Sequence, residues 1–130
     1  MAFPDLDEKA LLDKYSKKAM CRFMQWRVSV LDDRVRMELD ALPSDMRARL
    51  ARIVDLIEAH GLEHVHEPHV KHLHQSLWEM RMKGRDGISR AIYVTASGRR
   101  VIIVRAFVKK AQKTPHREIK LALQRAEELK

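Results

Sequence analysis

Two arginines and three lysines in the second half of the chain have side chains suited to binding and reacting with phosphate groups. Arg81 and Arg90 fall in neighbouring segments with strand-like alternation, so their guanidinium groups could converge on one phosphate and contact it bidentately. Lys109, Lys110 and Lys113 stand where a further strand-like segment ends and a helix is about to begin, and a helix N-terminus attracts anions. A lysine crowded by other cations has a lowered pKa and can transfer protons. We therefore predict phosphate binding by Arg81 and Arg90, and catalytic roles for these arginines and for Lys110 and Lys113.

Six of the seven histidines lie between positions 60 and 74, in the stretch HGLEHVHEPHVKHLH. Their spacings offer several ligand pairs for zinc or nickel, but none has the helical H-E-x-x-H arrangement, and Cys21 is the single cysteine. Pro68 and the absence of an apolar period instead favour a connection between two elements. We expect no metal or other cofactor.

The positive charge is concentrated in one part of the chain. Residues 1–76 carry 12 Lys and Arg against 13 Asp and Glu, whereas residues 77–130 carry 14 against 5. The whole excess of the formal net charge of +8 therefore lies in the last part of the chain. Such an asymmetry favours a polyanionic partner, either a nucleic acid or an acidic protein segment.

The length and the composition indicate a single domain. A chain of 130 residues can bury one hydrophobic core without disulfides or a structural metal. A lone cysteine cannot form an internal disulfide, and there is neither an apolar signal segment near Met1 nor a run of about 18 apolar residues. These features argue against a disulfide scaffold and a helical membrane protein, and they predict a cytoplasmic protein.

The hydrophobic periodicity predicts the order helix, strand, helix hairpin, three antiparallel strands and helix, which is an α+β fold. In the hairpin, the first helix is predicted to be capped by Asp32 or Asp33 and to end before Pro43, and the second to end at Gly61. Thr114, which precedes a proline, is predicted to cap the last helix, whose apolar face packs on the sheet.

Three strand-like segments follow the histidines: LWEMRMKG, ISRAIYVT and RRVIIVRAFV. Charged residues of the first segment, including Glu79 and Arg81, are predicted to face outward. The apolar residues that alternate with them are predicted to face a core: Trp78, Met80 and Met82. Residues 101–104 are apolar without interruption, which predicts a central strand that is covered on both faces.

The stretch from Leu77 to Leu123 resembles the RelE/HigB class of bacterial toxins, in particular the phage-derived branch of the RelE/ParE superfamily. The likeness depends on LWEMR, on Arg90 and Tyr93, and on FVKKAQKTPHREI, which is similar to the family's F-x-K-K-x-Q-K-T-P followed by a helix that opens with EI. It extends over about residues 25–130, since the preceding strand and hairpin come in the family's order. Ser89 stands where the family usually has an aromatic residue, so the likeness does not include base stacking at that position.

The resemblance implies a RelE-like fold over residues 25–130, with the hairpin and the C-terminal helix packed on a small antiparallel sheet, and a helical extension over residues 1–24. It implies the toxin of a type II toxin–antitoxin pair that inhibits translation, commonly as a metal-independent endoribonuclease (mRNA interferase) acting on mRNA in the ribosomal A site. A co-encoded antitoxin, often a helix-turn-helix protein, would restrain it. Lys109 and Gln112 are then expected to bind RNA together with Lys71 and His72.

Two alternatives stay open from the residues themselves. Glu79 lies on the strand face of Arg81 and could act as a base or form an ion pair with Arg81. The basic face could also dock an antitoxin, the ribosome or another target without catalysis, and some members of the superfamily act on topoisomerase instead.

Overall fold

The structure is a computed structural model that describes residues 25–65, 69–109 and 113–129. The predicted N-terminal helix and the extension over residues 1–24 lie outside the described residues. Five strands, three α-helices and one short 3₁₀-helix make up the rest. In chain order they are β1 (Arg27–Val30), α1 (Asp33–Asp40), α2 (Ser44–His60), the 3₁₀-helix (Leu62–His64), β2 (Val70–His74), β3 (Leu77–Gly84), β4 (Gly87–Ala96), β5 (Arg100–Lys109) and α3 (His116–Glu127).

The five strands form one sheet in the order β1-β5-β4-β3-β2. The α+β class is therefore confirmed, and β3, β4 and β5 are antiparallel as predicted. The sheet is mixed rather than purely antiparallel, because β1 pairs with β5 in parallel. Two parallel strands need a long connection, and the chain between β1 and β5 provides it. Residues 101–104 are all buried, which confirms the predicted covered strand.

Strand β2 corrects the prediction that the histidine-rich stretch is only a connection. Residues 70–74 pair antiparallel with β3 at the edge of the described sheet. Most of their side chains are exposed, and Val70 alone is buried. An edge strand that buries so little has no apolar alternation, so its sequence resembles that of a loop.

Each face of the sheet carries its own apolar layer. The helix hairpin α1–α2 covers one face, and Gly61 ends α2 with a positive φ of 91°, as its position predicted. Asp32 caps α1 by accepting hydrogen bonds from the backbone N–H groups of Arg34 and Val35. Helix α3 covers the other face, where it buries Ala122. The largest buried residues of the hairpin layer are Met46, Ile53, Ile57, Met80, Met82 and Tyr93.

A network of ion pairs attaches α3 to α1 and β5. Glu38 on α1 accepts hydrogen bonds from the backbone N–H of Ala106 at 3.1 Å and pairs with Arg105 and Arg125, each at 2.8 Å. Arg105 also reaches Glu118 on α3 at 2.6 Å. These partly buried contacts set where α3 lies on the sheet.

None of the helices within the described residues is long and apolar enough to cross a membrane.

Candidate phosphate-binding site

The pairing of the strands places a group of charged side chains on the face of the sheet that α3 covers. Arg81 on β3 lies directly opposite Arg90 on β4, which confirms the predicted juxtaposition of the two arginines. Arg90 in turn lies opposite Phe107 on β5, so that Lys109, two residues further on, shares the same face. Glu79, two residues before Arg81, completes the group. Thr114, at the approach to α3, also contacts this group. We call the following five residues the Glu79 cluster: Glu79, Arg81, Arg90, Lys109 and Thr114.

Glu79 is buried at the centre of this cluster, with 1% of its surface exposed. Its Oε1 accepts a hydrogen bond from Nη1 of Arg90, and its Oε2 accepts one from the hydroxyl of Thr114 at 2.8 Å. Nε of Arg81 lies 3.6 Å from Oε1, too far for a hydrogen bond but close enough for attraction. The prediction that Glu79 faces solvent is therefore wrong, because Arg90 on β4 and Thr114 before α3 both contact its carboxylate.

Lys109 is a buried cation that lacks a hydrogen-bond partner. Its side chain stands at the end of β5 with 6% of the residue exposed, and its Nζ has no partner among the described residues. Burial, aided by the positive charge of Arg90, lowers the pKa of Lys109 to about 8. Burial of an unpaired ammonium is unfavourable, so an anion that reached Nζ would be bound strongly.

The two arginines differ in their burial and in their contacts with other groups of the protein. Arg90 is 4% exposed and forms the ion pair with Glu79; burial lowers its pKa, while Glu79 opposes that shift. Arg81 is about 30% exposed, and its Nε has no hydrogen-bond partner among the described residues. Arg81 is therefore the guanidinium of the cluster that remains available to an incoming phosphate.

The predicted residues on β2 lie on opposite faces of the sheet. Lys71 is opposite Glu79 in the register and shares its face, where it is exposed. His72 is opposite Trp78 on the hairpin face, and the two rings meet edge to face with centroids 4.9 Å apart. The expectation that His72 shares the RNA-binding face with Lys71 is wrong, because consecutive residues of a strand point in opposite directions. Trp78 is 39% exposed, so it is not the core residue that the alternation predicted.

The block between β5 and α3 is described only in part. Lys110 and Gln112 lie outside the described residues, and Lys113 is exposed immediately before Thr114. Helix α3 begins at His116 without a side-chain cap, so the predicted capping role of Thr114 is wrong. Its hydroxyl donates to Glu79 instead, a role that the sequence motif did not reveal because threonine before proline is typical of helix starts.

The histidines between positions 60 and 74 do not converge on a metal site in the part that the structure describes. His66 lies outside that part, and the remaining residues include no group of three or more His, Cys, Asp or Glu side chains that could hold a metal ion. His72 instead has its Nε2 2.8 Å from the backbone carbonyl of Gln75.

Replacing Thr114 with valine is expected to lower the free energy of unfolding by about 1–2 kcal/mol, because Oε2 of the buried Glu79 loses its hydrogen-bond donor. Urea unfolding of the purified chain measures this difference. Thr95→Val is the matched control, since Thr95 is exposed on β4 and its replacement should change the free energy by less than about 0.5 kcal/mol. Equal effects of the two substitutions would contradict a stabilising contact between Thr114 and Glu79.

Comparison with known proteins adds two similarities. A family model described as phage derived protein Gp49-like (DUF891) matches residues 37–127. Among solved structures, the chain is similar to the crystal structure of an archaeal RelE-RelB complex from Pyrococcus horikoshii OT3, with 22% sequence identity and a TM-score of 0.48 over 66% of this chain and 97% of that one. No curated protein sequence matches.

Proposed function

This chain belongs to the phage-derived Gp49-like family, a family of RelE/HigB-type toxins, and we propose that it inhibits translation by cutting mRNA on the ribosome without a metal ion. The proposal comes from family membership together with the charges and burial of the Glu79 cluster. Residues 25–130 are proposed to form the toxin domain and residues 1–24 an extension to it.

The reaction proposed is an internal transfer within the RNA backbone. The 2′-oxygen attacks the adjacent phosphorus, the bond to the 5′-oxygen breaks, and the products are a 2′,3′-cyclic phosphate and a free 5′-hydroxyl. The proton of the 2′-hydroxyl passes to a solvent water as the new bond forms, and a proton must reach the departing 5′-oxygen. An enzyme accelerates this transfer by orienting the phosphate, stabilising its additional negative charge and supplying that last proton.

The Glu79 cluster contains groups for these tasks. Arg81, with its unpartnered Nε, is proposed to bind the phosphate oxygens, and Arg90 to add positive potential from its buried position. Lys109 is proposed to give a proton to the 5′-oxygen, because a pKa of about 8 leaves it protonated at neutral pH yet able to release its proton. Exposed Lys71 and Lys113 are proposed to guide the RNA backbone toward the cluster.

One observation carries this proposal: the Nζ of Lys109 is buried beside two guanidinium groups and has no partner among the described residues. One carboxylate stands against three cations, so the cluster is deficient in negative charge. A phosphate group supplies the missing charge and the missing acceptor atoms. The roles predicted for His72, Lys110 and Gln112 remain predictions, since one lies on the other face and two lie outside the described residues.

The partner proposed for this toxin is a co-encoded antitoxin, of the helix-turn-helix type that is common beside such toxins. It is proposed to neutralise the toxin by covering the exposed cations that border the Glu79 cluster. Lys71 on β2 and Lys113 before α3 are exposed and positively charged, which suits an acidic segment.

Conditional expression in a bacterium, followed by mapping of mRNA 5′ ends, tests the function. Wild-type chain should arrest growth and produce new 5′ ends within translated codons, whereas Arg81→Ala should do neither. Arg52→Ala is the control, because Arg52 is exposed on α2 away from the cluster. Arg90 is unsuited to this test, since its removal leaves Glu79 buried without its counterion.

Growth arrest without new 5′ ends would instead support a non-catalytic binding module whose basic face docks the ribosome or another target. This second function is favoured by the same exposed cations, Lys71 and Lys113, but it would leave the buried Lys109 without a role. Absence of growth arrest would contradict both functions.

The value of kcat/KM for RNA cleavage is expected to fall as the pH rises above about 8, because Lys109 loses the proton that it must donate. Lys109→Arg should remove this fall, since arginine stays protonated over the range. A wild-type value that stays constant to about pH 10 would argue against Lys109 as the proton donor.

The depressed pKa of Lys109 also affects stability. The charged form of Lys109 disfavours folding at neutral pH, and this penalty decreases as the pH rises from about 8 toward 10.5.

A further inference from the structure

We propose that Glu79 is a positioning residue, which sets the geometry of Arg81, Arg90 and Thr114 and takes no proton from the RNA. This inference rests on the proposed function, since it assigns a role within the same site. It separates the two roles that the sequence leaves open for Glu79, those of a base and of an ion-pair partner.

Both oxygens of the Glu79 carboxylate are occupied by the protein. Oε1 accepts from Arg90 on β4, and Oε2 accepts from the Thr114 hydroxyl at the approach to α3. A general base must lie within hydrogen-bond reach of the hydroxyl whose proton it takes. A carboxylate whose two oxygens both accept hydrogen bonds from the protein does not offer that access.

The carboxylate instead connects three separate parts of the fold. It lies on β3 and is joined to β4 through Arg90 and to the start of α3 through Thr114. The residue just before Thr114 is Lys113, so the same hydrogen bond fixes the end of the basic segment that follows β5. Removing the carboxylate would release both attachments at once.

Glu79 also acts on the arginine that remains available. Nε of Arg81 is 3.6 Å from Oε1, so the carboxylate attracts this guanidinium without accepting a hydrogen bond from its Nε. Without that negative charge, Arg81, Arg90 and Lys109 would repel one another at the centre of the site. Glu79 thereby keeps Arg81 directed toward the cluster and leaves its donors for phosphate.

Four variants of the full chain separate positioning from proton transfer: Glu79→Gln, Glu79→Ala, Thr114→Val and Thr114→Ser. A glutamine keeps an acceptor for Arg90 and a polar group for Thr114, so Glu79→Gln should lower kcat/KM by about tenfold, whereas Glu79→Ala should lower it by about 100-fold. Thr114→Ser keeps the hydroxyl and should restore the activity that Thr114→Val loses. Equal losses of 100-fold or more in Glu79→Gln and Glu79→Ala would overturn the inference and assign Glu79 as the base.

A second measurement does not depend on RNA cleavage. The Nε–Hε resonances of Arg81 and Arg90 in an NMR spectrum report how each guanidinium is held. We expect both to keep their wild-type shifts in Thr114→Ser and to move or exchange faster in Thr114→Val, a variant that retains the carboxylate and most of the stability. Unchanged resonances in Thr114→Val and Glu79→Ala would overturn the inference. If the wild-type chain cuts no RNA but the resonances change as expected, the proposed function fails and the positioning role stands.

Discussion

Replacing Glu79 with alanine is expected to lower the free energy of unfolding by about 3–5 kcal/mol, the largest effect on stability that we predict for one substitution. The alanine would leave the guanidinium of Arg90, which is 4% exposed, buried without its counterion. It would also remove the acceptor of the Thr114 hydroxyl. Urea unfolding of the purified variant, with the same probe and the same slope as wild type, measures this loss.

Two comparisons make this prediction specific to a buried pair. Glu128→Ala removes the partner of Arg34 at the surface, where both side chains are about half exposed, and should change the free energy by at most about 1 kcal/mol. The double variant Glu79→Met/Arg90→Met replaces both charges by apolar groups and should recover most of the stability lost in Glu79→Ala. A loss below about 1 kcal/mol in Glu79→Ala would contradict the buried ion pair.

Replacing Arg81 with alanine is expected to reduce the rate of RNA cleavage by about 100- to 1000-fold, the largest effect on activity that we predict. The reason is that Arg81 is the partly exposed guanidinium whose Nε remains free of hydrogen bonds within the described residues. Single-turnover cleavage of mRNA on programmed ribosomes measures the rate.

The variant Arg81→Lys would show whether the phosphate contact depends on the shape of the guanidinium or only on its positive charge. Arg81→Lys should recover only part of the activity, because an ammonium is a point charge and cannot make two parallel hydrogen bonds to a phosphate. Arg52→Ala, on the exposed surface of α2, should cleave at the wild-type rate. A rate for Arg81→Ala within threefold of wild type would contradict the assignment of Arg81 to the phosphate.

Much of the fold is predictable from periodicity, since the segments concerned bury apolar side chains on one or both faces. The strands β3, β4 and β5 and the hairpin α1–α2 all have this property. Strand β2 was missed because its stability comes from backbone pairing at an edge and requires no apolar alternation. The parallel pairing of β1 with β5 was also missed, since no local pattern encodes which distant strand becomes a neighbour.

Part of the candidate site is also predictable from the periodicity of the strand segments. Alternation and the order of the strands were enough to place Arg81 opposite Arg90. Burial of Glu79 and Lys109 could not be anticipated from alternation, because burial depends on contacts between distant parts of the chain, such as that of Glu79 with Thr114. The role of Thr114 depends on the same tertiary contact, and a local motif predicted a helix cap instead.

The pairing of β1 with β5 has a consequence for how this chain is made in the cell. Arg27 is aligned with Arg100 and Val30 with Ile103, so β1 reaches its partner in the described sheet only after residues 100–103 have left the ribosome. The Glu79–Thr114 hydrogen bond is completed later still. A nascent chain interrupted before β5 would lack both contacts and the ammonium of Lys109. Synthesis itself would then delay the assembly of the cluster, and the proposed antitoxin, if made at the same time, would meet this face as it first forms.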